Sequence, residues 1–287
     1  MARSRFQNAL TDIESFFEKR KKAVYTFTEI GKVLEDQRNF WKLPATMNTR
    51  KFLEALLERT KIKKIDFKFP SISIHRYTWG DTNIYEIVSG LLKNSYFCHY
   101  SALYLHELTE QIPRSIYLNY EQHTKPKSES QLTQQGINKA FSQPPRVSKN
   151  ICIVDKYNFE IHLLNGMNTG KLGVVTKKQF SVTDLERTFI DIAVRPYYSG
   201  GVFEVLKAYK RAHEDLSVSR LSTLLNKIDY IYPYHQAIGF YLEKAGYSQP
   251  QLEVFENYKR DFDFYLTYQI EEAEYSSKWR IYYPKGL

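Results

Sequence analysis

The sequence predicts an α+β protein with three short helices and a β-hairpin at the N-terminus, then a larger mixed α/β region. Three observations carry this. Residues 7–60 hold three apolar stripes at helical spacing, and residues 61–79 alternate apolar with polar side chains. The positive charge is also uneven. Residues 1–70 contain 16 Lys+Arg and 9 Asp+Glu, whereas the remaining 217 residues contain 25 and 23.

The elements follow in order. Residues 7–22 read as a helix, with Leu10, Ile13, Phe16 and Phe17 on one face and the basic run KRKK at its end. In TFTEIGKVLED, Thr26 and Glu29 form a capping box, and Phe27, Ile30 and Leu34 share a face. The loop QRNFWKLPATM, which contains Pro44, leads to a third helix, NTRKFLEALLERTK. Asn48 is its cap, and Phe52, Leu53, Leu56 and Leu57 are its expected buried stripe. In KIKKIDFKFPSISIHRYTW, Ile65, Phe67 and Phe69 face one way, while Lys64, Asp66 and Lys68 face the other. FPS turns the chain, and Ile72 and Ile74 return on a second strand. Three helices and a hairpin are the order of a winged helix-turn-helix, so residues 1–78 are expected to be one domain and 79–287 a second.

Beyond WGDTN, NIYEIVSGLL and YSALYLHEL read as helices and SIYLNY as a strand. A polar stretch over 121–150 includes KPKSES and one short helix, QLTQQGINKAF. ICIVDKYNFEIHLLNG and LGVVTKK read as strands. From 181 the chain reads as mostly helical, until FDFYLTYQI and KWRIYYP alternate as late strands.

Composition narrows the function. With 15% aromatic residues the chain has ample core material, and the apolar windows are too short to span a membrane. The N-terminus lacks the apolar run of a signal peptide, and the two cysteines, Cys98 and Cys152, lack metal-like spacing. A cytoplasmic protein without a membrane partner is expected. The seven histidines are scattered; His99 and His106 could share a helical face, but no metal site is expected. Asp155 and Glu160 lie near strands, as in some metal-dependent nucleases, yet the E-x-K element is missing. No phosphate-loop, nucleophile-elbow or zinc-protease motif occurs, so no catalytic residue and no cofactor is expected.

The basic N-terminal region points to double-stranded DNA. A helix-turn-helix lays the first residues of its last helix against base edges. Here those residues are Asn48, Thr49, Arg50 and Lys51. Lys61, Lys63, Lys64 and Lys68 lie on the hairpin, where a wing would meet phosphates, and Arg38 and Lys42 flank the reading helix. If six phosphates are neutralised, log affinity falls against log salt with a slope of roughly −5. The turn between the second and third helices is longer than the usual three or four residues.

The densest stretch, DLERTFIDIAVRPYYSGG (184–201), reads as scaffold. Thr183 and Glu186 suggest a second capping box, and Arg187 and Asp191 are spaced to pair on a helix surface. Arg195-Pro196 ends the helix, and Gly200-Gly201 allows a tight join.

SALYLHELTEQIP (101–113), LERTFIDIAVRPYYSGG (185–201) and YPYHQAIGFYLEKAG (232–246) resemble the AbiEi-type antitoxins over most of the chain. The resemblance implies an N-terminal winged helix and a C-terminal antitoxin domain. It also implies repression of the protein's own operon through inverted repeats, and action against a neighbouring nucleotidyltransferase-like toxin in phage defence by abortive infection. That action need not involve a stable complex, and a monomer that binds DNA cooperatively fits the family. The base-contacting residues above come from the residue pattern and not from the family. The alternative expectation is a nuclease or modification-reversing enzyme with a DNA-binding N-terminal module.

Overall fold

The computed structural model describes residues 4–124 and 131–287, so KPKSES lies outside the described residues. The architecture is α+β. The chain forms two compact units, Met1–Lys93 with Asn150–Asn158, and Asn94–Lys149 with Phe159–Leu287.

In the first unit, α1 (Arg5–Glu18) opens with a capping box between Ser4 and Gln7. After β1 (Val24–Tyr25), α2 (Phe27–Gln37) opens at the Thr26–Glu29 capping box read from sequence. Asn48 caps α3 (Thr49–Arg59) by accepting the Lys51 N–H at 3.0 Å. The long α2–α3 connection is ordered by its own apolar anchors. Trp41 and Leu43 are buried, and Trp41 stacks on Phe52 with ring centroids 5.8 Å apart. Phe17 of α1 stacks on Trp79 at 4.8 Å, which closes the other side of this aromatic core. Gly31 brings α2 and α3 close together, since a Cβ at that position would lie 3.0 Å from Thr49 Oγ1.

The apolar stripes are narrower than expected. Phe27, Leu57 and Ile72 are exposed: Phe27 is the first residue of α2, Leu57 lies in the last turn of α3, and Ile72 falls in the turn before the second hairpin strand instead of on it. The hairpin pairs β2 (Ile62–Lys68) with β3 (Ser73–Trp79), from Ile62 opposite Trp79 to Lys68 opposite Ser73. β1 joins the free edge of β3. Facing residues of an antiparallel pair share a face. Ile62, Tyr77 and Trp79 therefore pack with the helices, while Ile65, Phe67 and Ile74 are buried on the opposite face.

The first unit continues beyond the expected end at residue 78. α4 (Ile84–Ser89) stays with it because the Arg76 guanidinium on β3 donates to the carbonyls of Gly90 and Leu91.

The second unit begins with β4 (Tyr96–Phe97), α5 (His99–Leu105), β5 (Ser115–Glu121) and α6 (Gln134–Phe141). The chain returns to the first unit for β6 (Ile151–Val154) and a 3-10 turn at Asp155–Tyr157. It then forms β7 (Phe159–Gly166), β8 (Val174–Lys177) and β9 (Phe180–Thr183). Strands of the second unit lie in the order β7-β5-β4-β9-β8. β5 runs parallel to β7 and β4 parallel to β9, while β4–β5 and β8–β9 are antiparallel. The two-residue β4 was not visible in the sequence pattern.

Five helices follow: α7 (Leu185–Val194), α8 (Val202–Arg211), α9 (Val218–Ile228), α10 (Tyr234–Lys244) and α11 (Gln249–Glu256). The late strands close a small sheet in the order β10 (Phe264–Tyr265), β12 (Ile281–Pro284), β11 (Ala273–Ser276). α10 is core, as its composition suggests, with Ala237, Ile238, Phe240, Tyr241 and Leu242 at most 1% exposed. The buried Gln236 amide donates to the carbonyls of Trp279 and Arg280, tying α10 to β12.

Gly239 sits under the Trp279 ring, and a Cβ there would lie 2.1 Å from Trp279 Cζ3. Helix propensity alone would make Gly239→Ala stabilising by about 1 kcal/mol. Overpacking against a fully buried indole reverses the sign, to a loss of about 1–3 kcal/mol. Denaturant unfolding of Gly239→Ala measures this; a gain in stability would contradict the packing.

Candidate nucleic-acid interface

The cations read from sequence fall into two groups. Four are already occupied. Arg38 donates to the Pro44 carbonyl at 2.8 Å, which fastens the α2–α3 connection. Lys61 pairs with Glu18 at 2.8 Å and lies over the Trp79 ring. Lys63 pairs with Asp81 at 2.6 Å, and Lys64 with Asp66 at 3.0 Å. His75 also meets Asp66, at 2.5 Å, so the outer hairpin carries an acid at its centre. Among the described residues, Lys42, Arg50, Lys51 and Lys68 have no such partner, and all four are exposed.

The first turn of α3 is sorted in the same way. Thr49 packs against Gly31 and is not free to reach a base. The Asn48 side-chain oxygen caps the helix, which leaves its amide nitrogen for outside contacts. Arg50 and Lys51 project from the turn, while the exposed acids Glu54 and Glu58 lie further along α3. The helix therefore presents a basic N-terminal end, to which the positive pole of its dipole adds, while at its C-terminal end Arg59 pairs with Glu58. Phe40, 69% exposed beside Lys42 in the α2–α3 connection, was missed by sequence reasoning. Its signal was the neighbouring Trp41: two adjacent aromatics in a loop cannot both face the core.

The hairpin is less of a free arm than expected. Its apolar residues are buried on both faces, and three of its four lysines are in ion pairs. Exposed pairs are weak, so these lysines remain able to exchange a carboxylate for a phosphate.

The chain is similar in fold to a solved structure. The RV2827C protein from Mycobacterium tuberculosis, seen in its crystal structure, superposes with a TM-score of 0.64 at 10% identity, over 96% of this chain and 91% of that one. At that identity the likeness is one of fold. No family model and no curated protein matches the chain. Among the described residues no three His, Cys, Asp or Glu side chains are grouped to hold a metal ion, and no helix is long and apolar enough to cross a membrane. His99 and His106 do lie at the two ends of α5. His99 is buried, and the His106 ring bonds the Thr183 carbonyl at 2.7 Å.

Residues 184–201 differ from the sequence reading in their details. The cap of α7 is Asp184, whose Oδ1 accepts the Arg187 N–H at 2.8 Å. Thr183 instead bonds the Thr188 hydroxyl, and the Glu186 carboxylate accepts the Ser217 N–H. Arg187 and Asp191 do pair, at 2.8 Å, but inside the protein, with side chains 6% and 8% exposed. Arg187 also donates to the Leu172 carbonyl and to Thr169 Oγ1. Burial raises the Asp191 carboxyl and Arg187 opposes that rise. Burial also works against the Arg187 cation, but Asp191 outweighs it and the guanidinium stays charged. Gly200 and Gly201 have φ of +79° and +88°, so the join into α8 does require glycine.

An exposed i,i+4 pair would contribute only ~0.2–0.5 kcal/mol. Breaking this buried pair should cost about 3–5 kcal/mol, because Arg187 is left uncompensated. Asp191→Asn is expected to show that loss on chemical unfolding, while Lys178→Gln, which breaks an ion pair with Glu107 exposed on both sides, stays close to wild type. Equal stability of the two variants would disprove the buried network.

Proposed function

We propose that the protein is a DNA-binding antitoxin, with the N-terminal unit acting as a winged helix-turn-helix and the second unit as the antitoxin domain. The observation that carries the DNA-binding part is the cluster of unpaired cations at one end of α3. Arg50 and Lys51 leave its first turn, Lys42 lies in the connection before it, and the acids of α3 are further along the helix. In this reading α3 enters the major groove by its N-terminal end. Arg50 reads a base edge, and Lys42 and Lys51 meet flanking phosphates. Lys61, Lys63, Lys64 and Lys68 supply further phosphate contacts from the hairpin, after the first three leave their carboxylates.

The antitoxin part rests on the resemblance of residues 101–113, 185–201 and 232–246 to AbiEi-type proteins. On that reading the protein binds inverted repeats in its own promoter and counters a nucleotidyltransferase-like toxin encoded beside it. Expression of that neighbouring frame with and without this protein is the direct test. Growth arrest that this protein does not relieve removes the antitoxin reading.

DNA binding is tested separately by fluorescence anisotropy on the native upstream region and on a scrambled duplex. Arg50→Ala is expected to weaken binding to the native site by ~1–3 kcal/mol and to narrow its margin over the scrambled one. Lys42→Ala should weaken both and flatten the salt dependence by about one phosphate. Asp81→Asn releases Lys63 and should tighten binding to both duplexes. Three variants indistinguishable from wild type would rule out docking through this face.

A further inference from the structure

A cleft in the second unit carries a chemistry different from that of the α3 surface. Its wall includes Arg187, Asp191, Arg195, Tyr230, Thr169 and His99, with Leu164, Met167 and Val194 as apolar neighbours. Most of its polar groups are occupied. Arg187 has Asp191, Thr169 and Leu172 as partners. The Thr169 hydroxyl donates to Glu121 at 2.5 Å. Asn119 donates to the Tyr96 hydroxyl at 2.7 Å and accepts the Gly166 N–H at 2.9 Å.

Three groups are different, one of them the buried His99 Nδ1, which has no hydrogen-bond partner among the described residues. Among the described residues, the Arg195 guanidinium has no hydrogen bond, ion pair or cation–π partner, although it is only partly exposed. The Tyr230 hydroxyl is equally without a partner. A guanidinium withdrawn from bulk water and left without an acceptor is costly, and proteins otherwise pair such groups. Arg187, Arg195 and Asp191 line the cleft, and the Glu121 carboxylate lies against Thr169.

His99 also lines the cleft, with its backbone in the left-handed region at φ of +51°. Burial, with the Arg195 and Arg187 charges, holds the His99 imidazole well below its ordinary range.

We propose that this cleft binds the oxyanion group of a small molecule, a phosphate or a carboxylate, between the Arg195 guanidinium and the Tyr230 hydroxyl. The planar guanidinium offers two parallel N–H donors to an oxyanion, and the phenol offers a third. Arg187 adds charge from behind without giving up its own partners. Leu164, Met167 and Val194 provide an apolar wall for the rest of the molecule. This site is independent of the DNA-binding and antitoxin readings.

The test uses the full-length protein. Inorganic phosphate, acetate and AMP are titrated at constant ionic strength, with thermal stability and the His99 ring signals in NMR as readouts. At least one probe is expected to raise Tm saturably and to shift the His99 signals of the wild type. The phosphate and acetate arms decide between the two oxyanions, and AMP shows whether an organic portion adds affinity. Arg195→Met should lose about tenfold in affinity, the weight of one charge-assisted contact. Arg195→Lys, which keeps the charge if the Met variant does not fold, should retain part of the binding. Arg50→Ala should bind the probe as the wild type does, which separates this cleft from the DNA surface. No saturable response of the wild type to any of the three probes overturns the proposal. So does a response that Arg50→Ala abolishes and Arg195→Lys leaves at full strength.

Discussion

The buried Arg187–Asp191 pair is the constraint around which the second unit is arranged. A guanidinium has five donors, and an interior position requires them to be answered. Asp191 answers from one turn along α7, and the Leu172 carbonyl and Thr169 hydroxyl answer from the loop between β7 and β8. That loop must therefore wrap closely around Arg187. Gly173 makes this possible, since a Cβ there would lie 2.7 Å from Arg187 Cβ and its φ is +71°. Glu121 at the end of β5 holds the same loop through the N–H groups of Thr169 and Lys171. The sheet, the loop and α7 are thus joined through one ion pair, and the loop's position forms a wall of the cleft that Arg195 faces.

The first unit solves a different problem. It is small, and its stability rests on large aromatic side chains in face or edge contact. Phe17 meets Trp79 and Tyr25, Phe16 meets Trp41, and Phe52 meets Phe6 and Trp41. Few charges are needed inside such a core, so its many cations remain on the surface. Their pairing is uneven. Where an acid is within reach, as Glu18 is for Lys61 and Asp81 is for Lys63, the cation is partly neutralised. Around the start of α3, Lys42, Arg50 and Lys51 have no ion-pair partner among the described residues, although Glu54 lies one turn from Arg50.

Local chemistry was legible in the sequence, and long-range pairing was not. The Thr26–Glu29 box and the Asn48 cap formed where read, because capping involves residues three apart and little else. At α7 the same logic slipped by one residue. Thr183 and Asp184 are both good caps, and the choice was made by partners far away: Ser217 claims Glu186, and Arg220 claims Asp184. The lysines of the hairpin were visible as a basic stripe, but their counterions are not, since Lys61 and Glu18 are 43 positions apart. Gly31 and Gly239 look alike in sequence, as glycines inside helical patterns, and only the fold reveals Thr49 and Trp279 against them. The unit boundary was displaced for a related reason. A lone arginine, Arg76, reaches across to the end of α4 and holds it to the first unit.

The two units handle charge in opposite ways, and this bears on what each can recognise. Exposed cations in weak pairs exchange partners readily and respond to salt, which suits a long polyanion met along many contacts. They give little discrimination among small ligands, because water competes at every contact. A withdrawn guanidinium beside a phenol behaves differently. Its solvation is already reduced before a ligand arrives, so each hydrogen bond formed there is electrostatically stronger than at the surface. A few fixed donors on an otherwise satisfied framework then suffice to select one shape and charge. The buried α7 network provides that framework, because Arg187 is locked by its own acceptors and cannot swing to neutralise what Arg195 and Tyr230 leave open.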